Sequence, residues 1–191
     1  MIRIIGFLII FVSSLFADAR ITEENLQSGD LFEGSLSSHD VGLYCIHRGL
    51  TTATQMVLMS KAKEKILATI PIRTTYSIPK KRKNWLTVRW NPNGKMVAIH
   101  DSLSRHSKVL IYRQNEDGTF SPVALPDMLK LEGGGRLGLD VASITSSGQE
   151  PDRWRNDNLL MVKYRFKTKS GQLYRRTLPI TVDKSGTYQP Q

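Results

Sequence analysis

Apolar residues in this chain occur in short runs that are rich in β-branched and aromatic side chains and are separated by polar segments. Several of the separating segments are turn sequences, NPNG, NEDG, TKSG and DKSG, in which glycine permits a left-handed backbone and Asn, Asp or Ser can bond the turn. Short strands joined by such turns predict an all-β protein, an antiparallel meander that is propeller-blade-like or a sandwich and forms a single domain. The runs are VGLYCIH, TQMVLMS, KILATIPI, WLTVRW, KMVAIHD, KVLIYRQ, TFSPVAL, LDVASIT, NLLMVKYRF and QLYRRTLPITV.

Some of these runs are apolar at every position, whereas another alternates. MVLM, MVAI, VLIY and LLMV have no polar side, so they predict strands that are covered on both faces, as in three small stacked layers or a sandwich. In NLLMVKYRFKT, by contrast, Lys163, Arg165 and Lys167 alternate with apolar residues. If the TKSG turn pairs this strand with the next, Arg175 joins them on the same side. The pattern therefore predicts a basic ladder on a solvent-facing surface.

Helical signals are few. The best is PDMLKLEG at residues 126–133, which begins with proline and ends with glycine, as short helices often do. The overlapping segment EGGGRLG at residues 132–138 does not follow a strand and open a helix, as phosphate-binding loops do. We therefore expect a mobile loop there.

The N-terminal residues have the three parts of a secretory signal. Arg3 precedes an apolar stretch at residues 4–16, which is short for a membrane span, and Ala17-Asp18-Ala19 has the small-x-small form of a signal peptidase site. An uncleaved anchor is the alternative. We expect a secreted or periplasmic protein with no membrane span after cleavage, divided into a signal peptide at 1–19, a polar N-terminal arm at 20–34 and a β-rich domain at 35–191.

Charge is the most informative functional feature of the composition. The 27 Lys and Arg residues exceed the 17 Asp and Glu residues, which gives a formal net charge of +10. A basic exported protein meets proteins or anionic polymers of the cell envelope, and we expect no specific nucleic acid partner. Candidate residues for an anionic partner are the run Lys80, Lys81, Arg82 and Lys83, the ladder Lys163, Arg165, Lys167 and Arg175, and the pair Arg153 and Arg155 around Trp154.

Catalytic and metal-binding patterns are weak. The single cysteine, Cys45, excludes an internal disulfide, and its strand-like surroundings favour a buried apolar role over a nucleophilic one. The four histidines form no His-x-His or His-x-x-x-His pair, so no metal and no cofactor are expected. The alternative to a binding module is an exported hydrolase. Its loop-assembled site would bring together in one pocket at least two of His100, Asp101, His106 and Asp140.

The hairpin around NPNG carries a motif. Trp90, Pro92, Gly94 and Lys95 match an aromatic, Pro, Gly and Lys pattern that is followed by an apolar strand, a loop and a second apolar strand. Residues 85–125 thereby resemble one blade of a WD40-like β-propeller of the TolB type. Asn91 and Asn93 stand where that family usually has serine and aspartate, and asparagine suits the same turn.

The resemblance implies a structural role for Trp90, Pro92 and Gly94, because the aromatic packs between blades and the other two shape the hairpin. TolB-type propellers act mainly as protein-binding platforms in the cell envelope. A closed propeller has about four to eight blades, and this chain has room for about three, so self-association would be needed to close a ring. We expect an exported, non-catalytic binding module that contacts protein or anionic envelope components.

Overall fold

The structure, a computed structural model, describes residues 31, 35–47, 54–60, 65–71, 86–101, 107–125, 127–183 and 188–190. The predicted signal peptide, nearly all of the predicted arm and the basic run at residues 80–83 lie outside these ranges. Within the described part of the chain, no helix is both long and apolar enough to cross a membrane.

The fold is all-β, as the sequence predicts. Three antiparallel sheets, A, B and C, are each a meander in which strands adjacent in the sequence are hydrogen-bonded neighbours. The strands of sheet A are β1 (Val41–His47), β2 (Thr54–Ser60) and β3 (Lys65–Ile70), those of sheet B are β4 (Leu86–Trp90), β5 (Met96–Asp101), β6 (Lys108–Gln114) and β7 (Phe120–Val123), and those of sheet C are β8 (Ile144–Trp154), β9 (Leu159–Thr168), β10 (Leu173–Val182) and β11 (Tyr188–Pro190).

Sheet B is the middle of three layers. Met96 and Ala98 of β5 are buried against sheet C, whereas the alternating Val97 and Ile99 are buried against sheet A. Strand β6 is covered in the same way on its two sides. The expectation that MVAI and VLIY are buried on both faces is therefore confirmed, and the reason is that one sheet packs on each side of them.

Sheet C is an outer layer, and the prediction for LLMV is wrong for that reason. Leu160 and Val162 are fully buried, but Leu159 and Met161 on the other side of β9 are half-exposed. The same strand then alternates strictly between buried and exposed residues up to Thr168. The outer face of sheet C is thus the surface that carries the charged residues of this strand.

The segment EGGGRLG is helical over most of its length, which corrects the expected mobile loop. A π-helix spans Leu129–Arg136, so the predicted helix begins slightly later and ends three residues beyond Gly133. A Cβ on Gly133 would lie 2.9 Å from Ile144 Cδ1, and one on Gly134 would lie 2.9 Å from Val141 Cγ2. The two glycines thus allow the helix to pack closely against these side chains, which would have to shift if a Cβ were present.

The run LDVASIT is not a strand throughout. Asp140 accepts a hydrogen bond from Ala142 N at 2.9 Å and so caps a single 3₁₀ turn at Val141–Ser143. Strand β8 begins only at Ile144 and continues for 11 residues through ITSSGQEPDRW, a polar sequence with Gly and Pro in which only Ile144 and Thr145 belong to a predicted strand.

The NPNG turn fastens sheet B to sheet C. Asn91 is 3% exposed, and its side chain accepts from Met96 N at 2.8 Å and donates to Asp157 O at 2.8 Å. Gly94 has φ of 66°, and a Cβ there would overlap the imidazole of His39. Trp90 Nε1 donates to Ser35 O at 2.6 Å, and the Trp90 ring packs edge-on against Phe120. Hydrogen bonding, backbone geometry and packing therefore account for Trp90, Asn91 and Gly94. Pro92 is exposed and makes no comparable buried contact with the described residues.

Candidate functional site

The basic ladder lies on the outer face of sheet C. The TKSG turn joins β9 to β10, with Gly171 in the left-handed region at φ of 84°. The register then places Arg165 directly opposite Arg175, and Lys163 and Lys167 lie on the same exposed side of β9. Like charges directly opposite each other destabilise an antiparallel pair, so this arrangement lowers the free energy of unfolding unless an anion is nearby.

Strand β8 supplies acidic groups to one end of the ladder only. Lys163 Nζ donates to Asp152 Oδ1 at 2.7 Å, and Glu150 lies opposite Lys163 in the sheet register. The hydrogen bond from Lys163 lowers the pKa of Asp152, and the same bond raises the pKa of Lys163. The charge of Lys163 is therefore matched within the protein.

Three arginines near the Lys163 end of the ladder have no acidic partner among the described residues. Within the described part of the chain, the side chains of Arg165, Arg175 and Arg176 make no ion pair and no hydrogen bond. All three are exposed. Arg165 lies across Gly148 of β8, because a Cβ built on that glycine would be 3.3 Å from both Nε and Nη2 of the guanidinium. The missing side chain at Gly148 thus leaves room for the arginine to lie against the backbone of β8.

These arginines line a cavity of about 420 Å³, which we call the arginine pocket. A second depression of about 720 Å³ along β6 and β7 has a mostly apolar lining, with Lys108 facing it alongside Asp127. The arginine pocket is therefore the more basic of the two cavities. Its charged and titratable lining is Lys163, Arg165, Arg175, Arg176, Glu150, His100 and Tyr164.

The wall of the arginine pocket at β8 is fixed by hydrogen bonds to the residue that precedes β6. Ser107 N donates to Ser147 O at 3.1 Å, and Gln149 N donates to Ser107 O at 3.2 Å. Gln149 Oε1 also accepts from Val109 N at 3.3 Å. The backbone that carries Gly148 and Glu150 is therefore held in place between sheets B and C before any ligand binds.

His100 contributes an uncharged group to the pocket at neutral pH. It lies at the end of β5, and its Nε2 is buried without a hydrogen-bond partner among the described residues. Burial lowers the pKa of His100, and nearby Arg165 acts in the same direction, while Glu150 and Asp101 oppose the shift. The neutral imidazole offers one donor and one acceptor.

Replacing His100 by glutamine should make the protein less sensitive to acid between about pH 7 and pH 5. Because the pKa of His100 is lowered in the folded chain, the unfolded chain binds the extra proton first as the pH falls below about 6.5. The wild type therefore loses stability across this window, and the loss is complete below the folded-state pKa. Urea denaturation at several pH values should show a smaller loss for the variant, and equal losses would contradict the assignment.

The other sequence candidates do not line the arginine pocket. Lys167 is exposed on β9 opposite Leu173. Arg153 lies 3.8 Å from Asp152, and Arg155 is exposed in the turn after β8. Trp154 between them is structural, because its Nε1 donates to Arg89 O at 2.9 Å and its ring packs on the core. The run Lys80, Lys81, Arg82 and Lys83 is outside the described residues.

The residues named for a hydrolase are not brought together where the structure describes them. His100 lines the arginine pocket, but Asp101 follows it on the strand and therefore lies on the opposite face of sheet B. Asp140 caps the 3₁₀ turn. His106 is outside the described residues, as are the side chains of Cys45 and His47. In the described part of the chain, no three His, Cys, Asp or Glu residues cluster as metal ligands.

Sequence reasoning missed Arg176, Gly148 and Glu150. Strict alternation assigns Arg176 to the inner face, since it is the register partner of buried Tyr164, yet its side chain is exposed. The double arginine at 175–176 was the available signal. Gly148 and Glu150 were missed because no strand was predicted beyond Thr145.

No protein-family model matches this sequence, and no curated protein matches it significantly. The resemblance of residues 85–125 to a TolB-type blade, and the self-association that it implies, therefore remain predictions.

Proposed function

We propose that this protein is an exported, non-catalytic binding module that holds an anionic polymer of the cell envelope on the outer face of sheet C. The observation that carries the proposal is the convergence of Arg165, Arg175 and Arg176 on one cavity with no acidic partner among the described residues. The guanidinium group suits this role, because its planar donors bind carboxylates and phosphates in pairs.

Two further features support an extended ligand. Lys163 and Lys167 continue the line of positive charge along β9 on either side of Arg165. The net charge of +10 attracts polyanions at a distance and speeds their association. The export signal predicted at residues 1–19 supports an envelope polymer as the partner, and the predicted TolB-type resemblance supports a binding role over a catalytic one.

The proposal is tested by measuring the binding of the protein to heparin, as a generic polyanion, and to neutral dextran as a control. Heparin should bind at about 50 mM salt and weaken steeply toward about 300 mM, because salt screens exposed charges and competes for the polymer. Dextran should not bind at either salt concentration. Salt-independent binding of heparin, or equal binding of dextran, would contradict an electrostatic site.

A further inference from the structure

We infer that the arginine pocket is a subsite for a phosphate monoester carried on a sugar, so that the polymer is recognised through a phosphorylated unit. This inference rests on the proposed function and adds the chemical class of the group that enters the pocket. The inference is based on the charge of the pocket, the geometry of its hydrogen-bond donors and its size.

The charge of the pocket matches a dianion. Its lining holds four side-chain cations, Lys163, Arg165, Arg175 and Arg176, against Glu150, and Asp152 neutralises Lys163 from outside the lining. Four cations and two carboxylates leave a formal excess of two positive charges. A phosphate monoester carries about −1.5 to −2 at pH 7, whereas a uronic acid carboxylate carries only about −1. One carboxylate would leave a positive charge unmatched beside Glu150, and one phosphate would not.

The geometry of the donors also favours phosphate. Arg165 and Arg175 are directly opposite each other on two strands, and Arg176, which alternation assigns to the other side of β10, is also exposed and lines the cavity. Donors that surround a single cavity from two strands suit a compact group with three acceptor oxygens. A single carboxylate offers only two acceptor oxygens to the same donors.

The size and the remaining lining leave room for the sugar. A cavity of about 420 Å³ exceeds the needs of one phosphate group and falls within the usual range of small-molecule sites. The uncharged polar lining includes Gln149, Thr177 and the neutral His100. Such uncharged polar groups bind sugar hydroxyls without repelling them.

Glucose 6-phosphate and glucuronate test the inference, because the two sugars differ at C6 in bearing a phosphate monoester or a carboxylate. Isothermal titration calorimetry should show glucose 6-phosphate binding about tenfold or more tightly than glucuronate. The variant Arg176→Gln should weaken glucose 6-phosphate about tenfold, because a charge-assisted contact is lost. The matched control Arg155→Gln removes the same charge outside the pocket and should bind like the wild type.

The outcomes separate this inference from the proposed function. If heparin binds with salt dependence but glucose 6-phosphate does not bind, the phosphate subsite is wrong and the polyanion surface stands. Equal affinity for glucuronate, or equal effects of Arg176→Gln and Arg155→Gln, would also overturn the subsite. If neither heparin nor glucose 6-phosphate binds, the proposed function fails together with it. Circular dichroism on each variant establishes that it is folded.

Discussion

Replacing Ile99 or Ile111 by alanine is expected to lower the free energy of unfolding by about 2 to 5 kcal/mol in each case. Ile99 is 0% exposed between sheets A and B, and Ile111 is 1% exposed between sheets B and C. Each substitution removes three buried carbon atoms and leaves a cavity in a different layer. Urea denaturation of the two variants therefore measures the burial of sheet B on each of its faces.

Ile66→Ala is the matched control for this pair. Ile66 lies on β3 and is 45% exposed, so its truncation should change the free energy of unfolding by only about 0.5 kcal/mol. A large loss for Ile111→Ala combined with a negligible loss for Ile99→Ala, or the reverse, would contradict the three-layer arrangement. Only one face of sheet B would then be buried.

A triple variant with Arg165, Arg175 and Arg176 replaced by glutamine is expected to bind heparin about a hundredfold more weakly, or about 2.7 kcal/mol. Each charge-assisted hydrogen bond contributes about 1.5 to 3 kcal/mol, and solvent screening of exposed side chains reduces the sum. The free energy of unfolding should not fall, because the change removes like charges that face each other across β9 and β10. Fluorescence titration and urea denaturation measure the two quantities separately.

The control for the triple variant replaces Lys130, Arg153 and Arg155 by glutamine. This variant has the same net charge, but none of the three residues lines the arginine pocket. All three side chains are exposed. Its affinity for heparin should fall by less than about threefold, since only the long-range attraction changes. Equal losses for the two triple variants would show that net charge alone determines binding.

Local patterns were sufficient to predict most of the strands and the ladder on β9 and β10. Alternation of apolar and charged residues along residues 162–167 fixes which side of β9 is buried, and the TKSG turn fixes the pairing with β10. The absence of alternation correctly predicted burial on both faces for MVAI and VLIY, whereas the same pattern in LLMV lies in an outer sheet. These features depend on neighbours in the sequence, where the period of a strand directly reports burial.

The arginine pocket itself was not predictable in this way. Strand β8 contains Gly148 and Pro151, which disfavour a strand in isolation. Its conformation depends on distant partners, because Ser107 bonds one part of it and Arg89 O accepts from Trp154 at its end. Pro151 is accommodated beside a bulge in the pairing with β9. His100 of sheet B lines the same cavity as the arginines of sheet C, and no local sequence pattern indicates that these two sheets meet there.

The glycine-rich segment shows a related difficulty. Three consecutive glycines at 133–135 indicate a loop on propensity alone, since glycine disfavours helix by about 1 kcal/mol per residue. The structure instead uses Gly133 and Gly134 for close contact with Ile144 and Val141. Tertiary packing outweighs the low helix propensity of glycine here. No local sequence pattern indicates which side chains will contact the helix.

The salt dependence of heparin binding by the wild type and the two triple variants tests most directly whether the polyanion binds at the arginine pocket. Each cation that contacts the polymer releases about one counterion, so the slope of log Kd against log salt concentration counts the contacts. The slope of the arginine pocket variant should be smaller than that of the wild type by about three, while the control variant should retain the wild-type slope. An unchanged slope for the pocket variant, or an equal decrease for both variants, would contradict binding at Arg165, Arg175 and Arg176.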